Sequence, residues 1–92
     1  ILKQKFLDQN VHYASGSSFK INKEFINFIN LLLQQGQTKD VVIIDDNDNP
    51  VQIEDFKSFV ETTMDIYSKN VNEYYTQLKT IKKRDIKDVL GR

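Results

Sequence analysis

The longest regular pattern of apolar positions lies in the C-terminal half of the chain. The steps between these positions are three or four residues, which average 3.5, the period of a left-handed coiled-coil seam. The positions are Ile53, Phe56, Val60, Met64, Tyr67, Val71, Tyr74, Leu78 and Ile81. No Gly or Pro interrupts residues 54–83, and acidic residues at the start with lysines at the end suit the helix dipole. The sequence therefore predicts a long amphipathic helix over residues 54–83, followed by a basic tail over residues 84–92.

A second helix is predicted over residues 23–35. Asn22 is a good N-cap residue, and Gly36 can adopt the left-handed conformation that ends a helix. Between them, apolar residues occupy most of the helix circumference rather than one stripe. This distribution predicts a helix that is buried on several sides.

Short β-branched segments complete the pattern. Val41–Asp45 and Val51–Ile53 flank a polar turn and predict an antiparallel hairpin, in which Pro50 begins an edge strand because it lacks an N–H. Residues 11–21 alternate around Ser15-Gly16-Ser17 and predict two short strands, or one strand with a flexible lead-in. A short helix near the N-terminus is weakly indicated by Leu2, Phe6 and Leu7.

These elements predict an α+β fold of order β-α-β-β-α, with a short antiparallel hairpin and a long C-terminal amphipathic helix. We expect one domain or a fragment over residues 1–92, with a small α+β head over residues 1–53. The chain has 92 residues, of which 39% are hydrophobic and 28% charged. These proportions are ordinary for a globular domain.

The composition limits the kinds of chemical site that the chain can contain. The absence of cysteine removes disulfides and thiolate metal sites, and no apolar run or signal-peptide pattern indicates a membrane or secretory segment. His12 is the sole histidine, and the Ser-rich turn lacks the lysine of a phosphate-binding loop. We therefore expect no catalytic residues, no cofactor and no metal, and a location in the cytoplasm or within a macromolecular assembly.

The segment from Asp45 to Asn49 is the one stretch that invites a metal interpretation. Starting at Asp45, oxygen ligands fall at loop positions 1, 3 and 5 of an EF-hand, but position 6 is Pro50 and position 12 is Phe56. The pattern favours a hairpin turn, because Asp and Asn bond their own backbone and tolerate left-handed conformations. A weak cation site at this turn remains the alternative.

The functional hypothesis rests on the length of the predicted long helix. A helix of these limits spans about 43 Å, whereas a compact chain of this size has a radius of gyration of about 12 Å. Its far half should therefore need a partner, either another protein or a second copy. The predicted partner-binding residues are Val60, Tyr67, Val71, Tyr74, Leu78 and Ile81. Two alternatives stay open: the helix breaks near Ser68–Asn72 and folds back, or Ile1–Leu7 lies along its far half.

The sequence thus favours a non-enzymatic interaction or assembly subunit, such as a component of a phage or bacterial complex. A nucleic-acid-associated accessory factor is the alternative, since the C-terminal segment is rich in phosphate-binding side chains although the formal net charge of the chain is zero. The residues for that role are Lys79, Lys82, Lys83, Arg84 and Lys87. No membrane partner is expected.

Overall fold

The computed structural model describes residues 2–90, and side chains for residues 2–81. The fold is α+β, as predicted, with two antiparallel hairpins and a long C-terminal helix among the described residues. The elements in chain order are α1 (Leu2–Gln9), β1 (Val11–Ala14), β2 (Ser17–Lys20), α2 (Lys23–Gln34), β3 (Lys39–Ile44), β4 (Pro50–Asp55) and α3 (Phe56–Leu90). The predicted order roughly fits: of the two alternatives for residues 11–21 the structure has two strands, β1 and β2, which form the first hairpin, and the indicated N-terminal helix α1 precedes them.

Helix α2 has the ends that the sequence predicts. The Asn22 side chain accepts a hydrogen bond from the backbone N–H of Phe25 at 2.7 Å, and Gly36 lies just past the helix with φ near +90°. The expectation of burial on several sides is wrong, because Ile29 is the fully buried residue of the helix and Phe28 and Leu31 are about half exposed. The small hairpins and α3 cover one face of α2, and no other described element covers the rest.

The second hairpin is longer than predicted, and its register explains Pro50. The backbone N–H of Asp45 donates to the carbonyl of Asn49 at 2.9 Å, so the next pair, Ile44 with Pro50, falls in a non-hydrogen-bonded position of the ladder. Pro50 therefore loses no ladder bond by lacking an N–H. It begins β4, as the sequence predicts.

The core lies where both hairpins and α2 meet the first turns of α3. Phe59 is central, because Phe19 meets it edge-on at 5.3 Å between ring centroids and Phe25 meets it edge-on at 6.3 Å. The buried residues that form this cluster are Phe19, Ile29, Val41, Ile43, Ile53, Phe56, Phe59 and Val60.

Helix α3 begins two residues later than predicted and continues past residue 83. Glu54 and Asp55 remain in β4, and the Asp55 carboxylate accepts the N–H of Ser58 at 3.0 Å, as an N-cap does. The helix runs unbroken through Ser68–Asn72, so the alternative in which it folds back there is wrong. The molecule measures 60 × 25 × 17 Å with a radius of gyration of 17.3 Å, well above the roughly 12 Å of a compact chain of this length.

Candidate docking surface on the long helix

Helix α1 covers one side of α3 beyond the head. The ring of Phe6 stacks on Tyr74 with centroids 4.8 Å apart and lies 6.3 Å from Tyr67. The Asn70 amide donates to the carbonyl of Gln9 at 3.0 Å and to the side chain of Asn10 at 2.9 Å. The alternative in which the N-terminal segment lies along the far half of the long helix is therefore confirmed for the side of α3 that carries Tyr67 and Tyr74.

A buried polar contact joins β1 to α3 between the core and the part of α3 that α1 contacts. The Thr63 hydroxyl donates to the carbonyl of Phe59 at 2.9 Å and lies 2.9 Å from Nδ1 of His12. Since the hydroxyl proton is already used, His12 must donate from Nδ1, which selects one neutral tautomer. The imidazole stacks on Phe59 with centroids 4.5 Å apart, and burial lowers the pKa of His12. His12 therefore acts as a structural link between β1 and α3.

A second apolar flank of α3 lies next to the tyrosines that contact Phe6, and its outer edge is exposed. Because successive residues of an α-helix are turned by about 100°, Tyr75 points well away from the Phe6 contact that Tyr74 makes. Tyr75 is 64% exposed. We define the second flank as Met64, Val71, Tyr75 and Leu78, which lie within roughly 60° of one another around the helix axis. Met64 is also exposed, and its sulfur is contacted by the Asn30 amide of α2 at 3.6 Å.

The six predicted partner-binding residues occupy three different environments. Val60 is 3% exposed and belongs to the core of the head, so it is not available to a partner. Tyr67 and Tyr74 are half-buried and contact Phe6. Val71 and Leu78 are half-buried on the second flank, and Ile81 is 42% exposed.

Tyr75 is exposed on the second flank but is not among the six predicted partner-binding residues, because it lies off the predicted seam. A single seam of period 3.5 contains Tyr74 and leaves Tyr75 outside it. The pattern shows which positions are apolar, but it does not show that α1 occupies the Tyr74 side. The signal that could have found Tyr75 is the pair of adjacent tyrosines itself, since two neighbouring residues on a helix point about 100° apart.

The predicted nucleic-acid-binding residues are described only in part. Lys79 is exposed on α3. Lys82, Lys83, Arg84 and Lys87 lie outside the described side chains, so this alternative stays a prediction.

The acidic segment forms the tip of the second hairpin, and its carboxylates bond backbone groups. Asp45 accepts the N–H groups of Asn49 and Asn47, both at 2.9 Å, and these bonds, that of Asn49 first, lower the pKa of Asp45 against the opposing effect of burial. Asp46 reaches the first hairpin, where it accepts the hydroxyl of Ser18 at 3.0 Å and the N–H of Lys20 at 2.9 Å. The predicted turn is confirmed. No group of three or more metal-ligating side chains occurs in the part of the chain that is described.

An open groove of about 310 Å³ lies between the turn of the first hairpin, β4 and the start of α3. Its polar lining includes Ser15, Glu54, Asp55, Ser58 and Thr62, and Asp55 already caps α3. The lining contains no histidine or lysine, and its carboxylates are those of Glu54 and Asp55.

Comparison of the chain with protein-family models, with curated proteins and with solved structures found no match. None of the helices among the described residues is both long enough and apolar enough to cross a membrane. The fold and the candidate surface define a class of molecule rather than a family. It is a small α+β head that extends into one long amphipathic helix, of which one flank is covered by α1.

Proposed function

We propose that this chain is a non-enzymatic interaction or assembly subunit, and that it docks to its protein partner through the part of α3 that extends beyond the head. The docking surface consists of the second flank together with Ile81. Val60 is left out because it belongs to the core, and Tyr67 and Tyr74 support the surface indirectly by holding α1 in place.

The observation that carries the proposal is the exposure of Tyr75 on an elongated molecule. Tyr75 is 64% exposed and Ile81 is 42% exposed, and both lie on the helix that extends the molecule to 60 Å. Large apolar side chains scattered singly over a surface are normal, but Tyr75 lies on one flank of the helix with Met64, Val71 and Leu78, and a contiguous apolar flank indicates a contact surface. Tyr is also among the residues most enriched at the centres of protein interfaces.

The surface is tested by site-specific photo-crosslinking in extract of the host cell. A photoreactive phenylalanine analogue replaces Tyr75, and in a matched control it replaces Phe28, which is exposed on α2. We expect a discrete covalent adduct from position 75, identified by mass spectrometry, and none from position 28. The adduct should disappear when Leu78→Ser and Ile81→Ser are added, whereas Leu31→Ser should leave it unchanged. Adducts that form equally from both positions, or an adduct that survives the two serine substitutions, would contradict the proposal.

A further inference from the structure

The open groove beside β4 follows the edge of that strand rather than one of its faces. Four consecutive residues, Gln52–Asp55, line the groove. Successive side chains of a strand point to opposite faces, so four in a row line a groove only where it follows the edge of the strand. The lining includes no residue of β3, which pairs with β4 along its other edge. The groove therefore lies along the edge of β4 that faces away from β3.

The register of the hairpin leaves main-chain groups free along this edge. Asp45 and Asn49 form a hydrogen-bonded pair at the end of the ladder. The pairs alternate from there, so Val42 and Gln52 form a non-hydrogen-bonded pair. The N–H and C=O groups of Gln52 therefore point away from β3, and by the same alternation so do those of Glu54. Neither residue makes a backbone hydrogen bond to another described element.

The first hairpin is bonded to the end of β3 but not to the free edge of β4. At the end of β3, the N–H of Asp46 donates to the carbonyl of Ser18 at 3.0 Å, and the Asp46 carboxylate accepts the N–H of Lys20 at 2.9 Å. Along β4, the groove instead separates the strand from Ala14 and Ser15 at the turn of the first hairpin. An unpaired strand edge of this kind is a template for another strand.

We propose that the free edge of β4 binds an extended peptide segment of a partner protein, which adds to the hairpin as a third strand and carries a lysine or arginine beside Glu54. The proposal goes beyond the proposed function, because it uses a surface that is separate from the second flank of α3. The partner must be an extended peptide, since its main chain matches the alternating donors and acceptors of a strand edge. Pro50 has no N–H to donate, so the pairing begins after it. Residues 52–55 span roughly 10 Å, enough for a segment of about four residues.

The charge of the groove selects the side chain of the peptide. Its lining carries the carboxylates of Glu54 and Asp55 and no lysine or arginine, and the exposed Lys57 is not part of it. Asp55 already accepts the N–H of Ser58 and lies opposite Lys39 in the ladder. Glu54 is therefore the carboxylate that is left for the peptide. Opposite charges on neighbouring strands stabilise their pairing.

The probe is a synthetic peptide selected from a random twelve-residue library displayed on phage, with the full chain as the target. We expect the selected sequences to contain lysine or arginine and to lack proline in the paired segment. The bound peptide should slow amide hydrogen exchange at Gln52 and Glu54 by about ten-fold or more, and it should leave the amide of Val42, on the opposite edge of the hairpin, unchanged. Failure to select any binding peptide, or protection that does not include Gln52, would overturn the proposal.

Methylation of the peptide nitrogens tests main-chain pairing separately from charge. Every second N–H of an added strand points to its neighbour, so methylating one alternate set of nitrogens should abolish binding, whereas methylating the other set should change the affinity by less than about three-fold. An equal loss of affinity from both sets would overturn the strand pairing.

Two substitutions in the chain test the edge from the other side. Gln52→Pro removes an N–H from the free edge of β4 without removing a ladder bond, and Val42→Pro does the same on β3. Gln52→Pro should weaken peptide binding by about ten-fold or more, and Val42→Pro should leave it unchanged. Glu54→Lys keeps every main-chain group and should weaken binding of the basic peptide by about five-fold or more at low salt, with Glu24→Lys on α2 as the control. Binding that Glu54→Lys leaves unchanged would overturn the assigned charge.

The same exchange measurement separates this proposal from the other occupants of the edge and from the proposed function. Protection of Gln52 and Glu54 that rises with protein concentration in the absence of peptide would assign the edge to a second copy of the chain, and would overturn the peptide partner. Peptides that protect only residues of α3 would overturn this proposal while supporting the docking surface on that helix. Loss of the specific adduct at Tyr75 would contradict the proposed function and leave peptide binding at β4 unaffected.

Discussion

At the scale of single residues, His12 shows how a titratable group can be part of the core. It is 9% exposed, is stacked on Phe59, and is held by the Thr63 hydroxyl. A charged imidazole in this position would lose solvation, and it finds no carboxylate among its described hydrogen-bond partners. Its neutral form is therefore favoured in the folded protein.

This preference makes stability depend on pH. Burial lowers the pKa of His12 below its ordinary value of 6.5, so the unfolded chain binds the proton first as the pH falls. The contribution of neutral His12 is complete above pH 6.5 and is lost as the pH falls below 6.5 towards the lowered pKa of the folded state. We expect denaturant unfolding between pH 8 and pH 5 to show a larger loss of stability for the parent than for His12→Gln. Equal losses in the two proteins would refute the lowered pKa.

Asp46 links the two hairpins through hydrogen bonds to Ser18 and Lys20. We expect Asp46→Ala to lower the free energy of unfolding by about 1–2 kcal/mol, since hydrogen bonds to a charged acceptor are lost at an exposed site. Asn47→Ala is the matched control, because no hydrogen bond of its side chain occurs among the described residues, and it should change stability by less than about 0.5 kcal/mol. Chemical denaturation measures both, and equal effects of the two substitutions would show that the link contributes nothing.

At the scale of elements, α1 depends on a tertiary contact. An isolated helix of eight residues is not stable in water, and none of the residues of α1 is fully buried. Its aromatic contacts with α3 are made by Phe6, which packs against two tyrosines of that helix. The sequence indicates this helix only weakly because its stability comes from α3, which follows some fifty residues later in the chain.

We expect Phe6→Ala to release α1 from α3 while the head remains folded. Hydrogen exchange should show loss of amide protection over residues 2–9 and little change in β3 and β4. Leu7→Ala is the matched control, because Leu7 is adjacent to Phe6 but 48% exposed, and it should leave the protection of α1 nearly unchanged. Protection retained in Phe6→Ala would show that other contacts hold α1.

At the scale of the whole molecule, the elongated shape is the property from which the proposed function follows. The head is assembled around the first turns of α3, and the remaining turns extend past it. Small-angle X-ray scattering of the monomer at low concentration should give a radius of gyration near 17 Å, close to the 17.3 Å of the Cα atoms. A value near the roughly 12 Å of a compact chain would show that α3 does not extend in solution.

The sequence by itself determined the class of fold and the positions of most helices and strands. Apolar spacing located α2 and α3, Asn22 and Gly36 marked the ends of α2, and Pro50 marked the start of an edge strand. These signals are local, because caps, proline geometry and periodicity act within one or two turns of the chain.

Only the tertiary structure decided which apolar faces are covered. The pattern of α2 suggested burial on several sides, yet Phe28 and Leu31 are exposed, and the single seam of α3 proved to be two flanks that meet different surroundings. A pattern of apolar residues records that a side chain can be buried, but burial itself requires another element at that place. The placement of α1 against Tyr74, which leaves Tyr75 open, depends on contacts between residues about seventy positions apart, and no local spacing contains them.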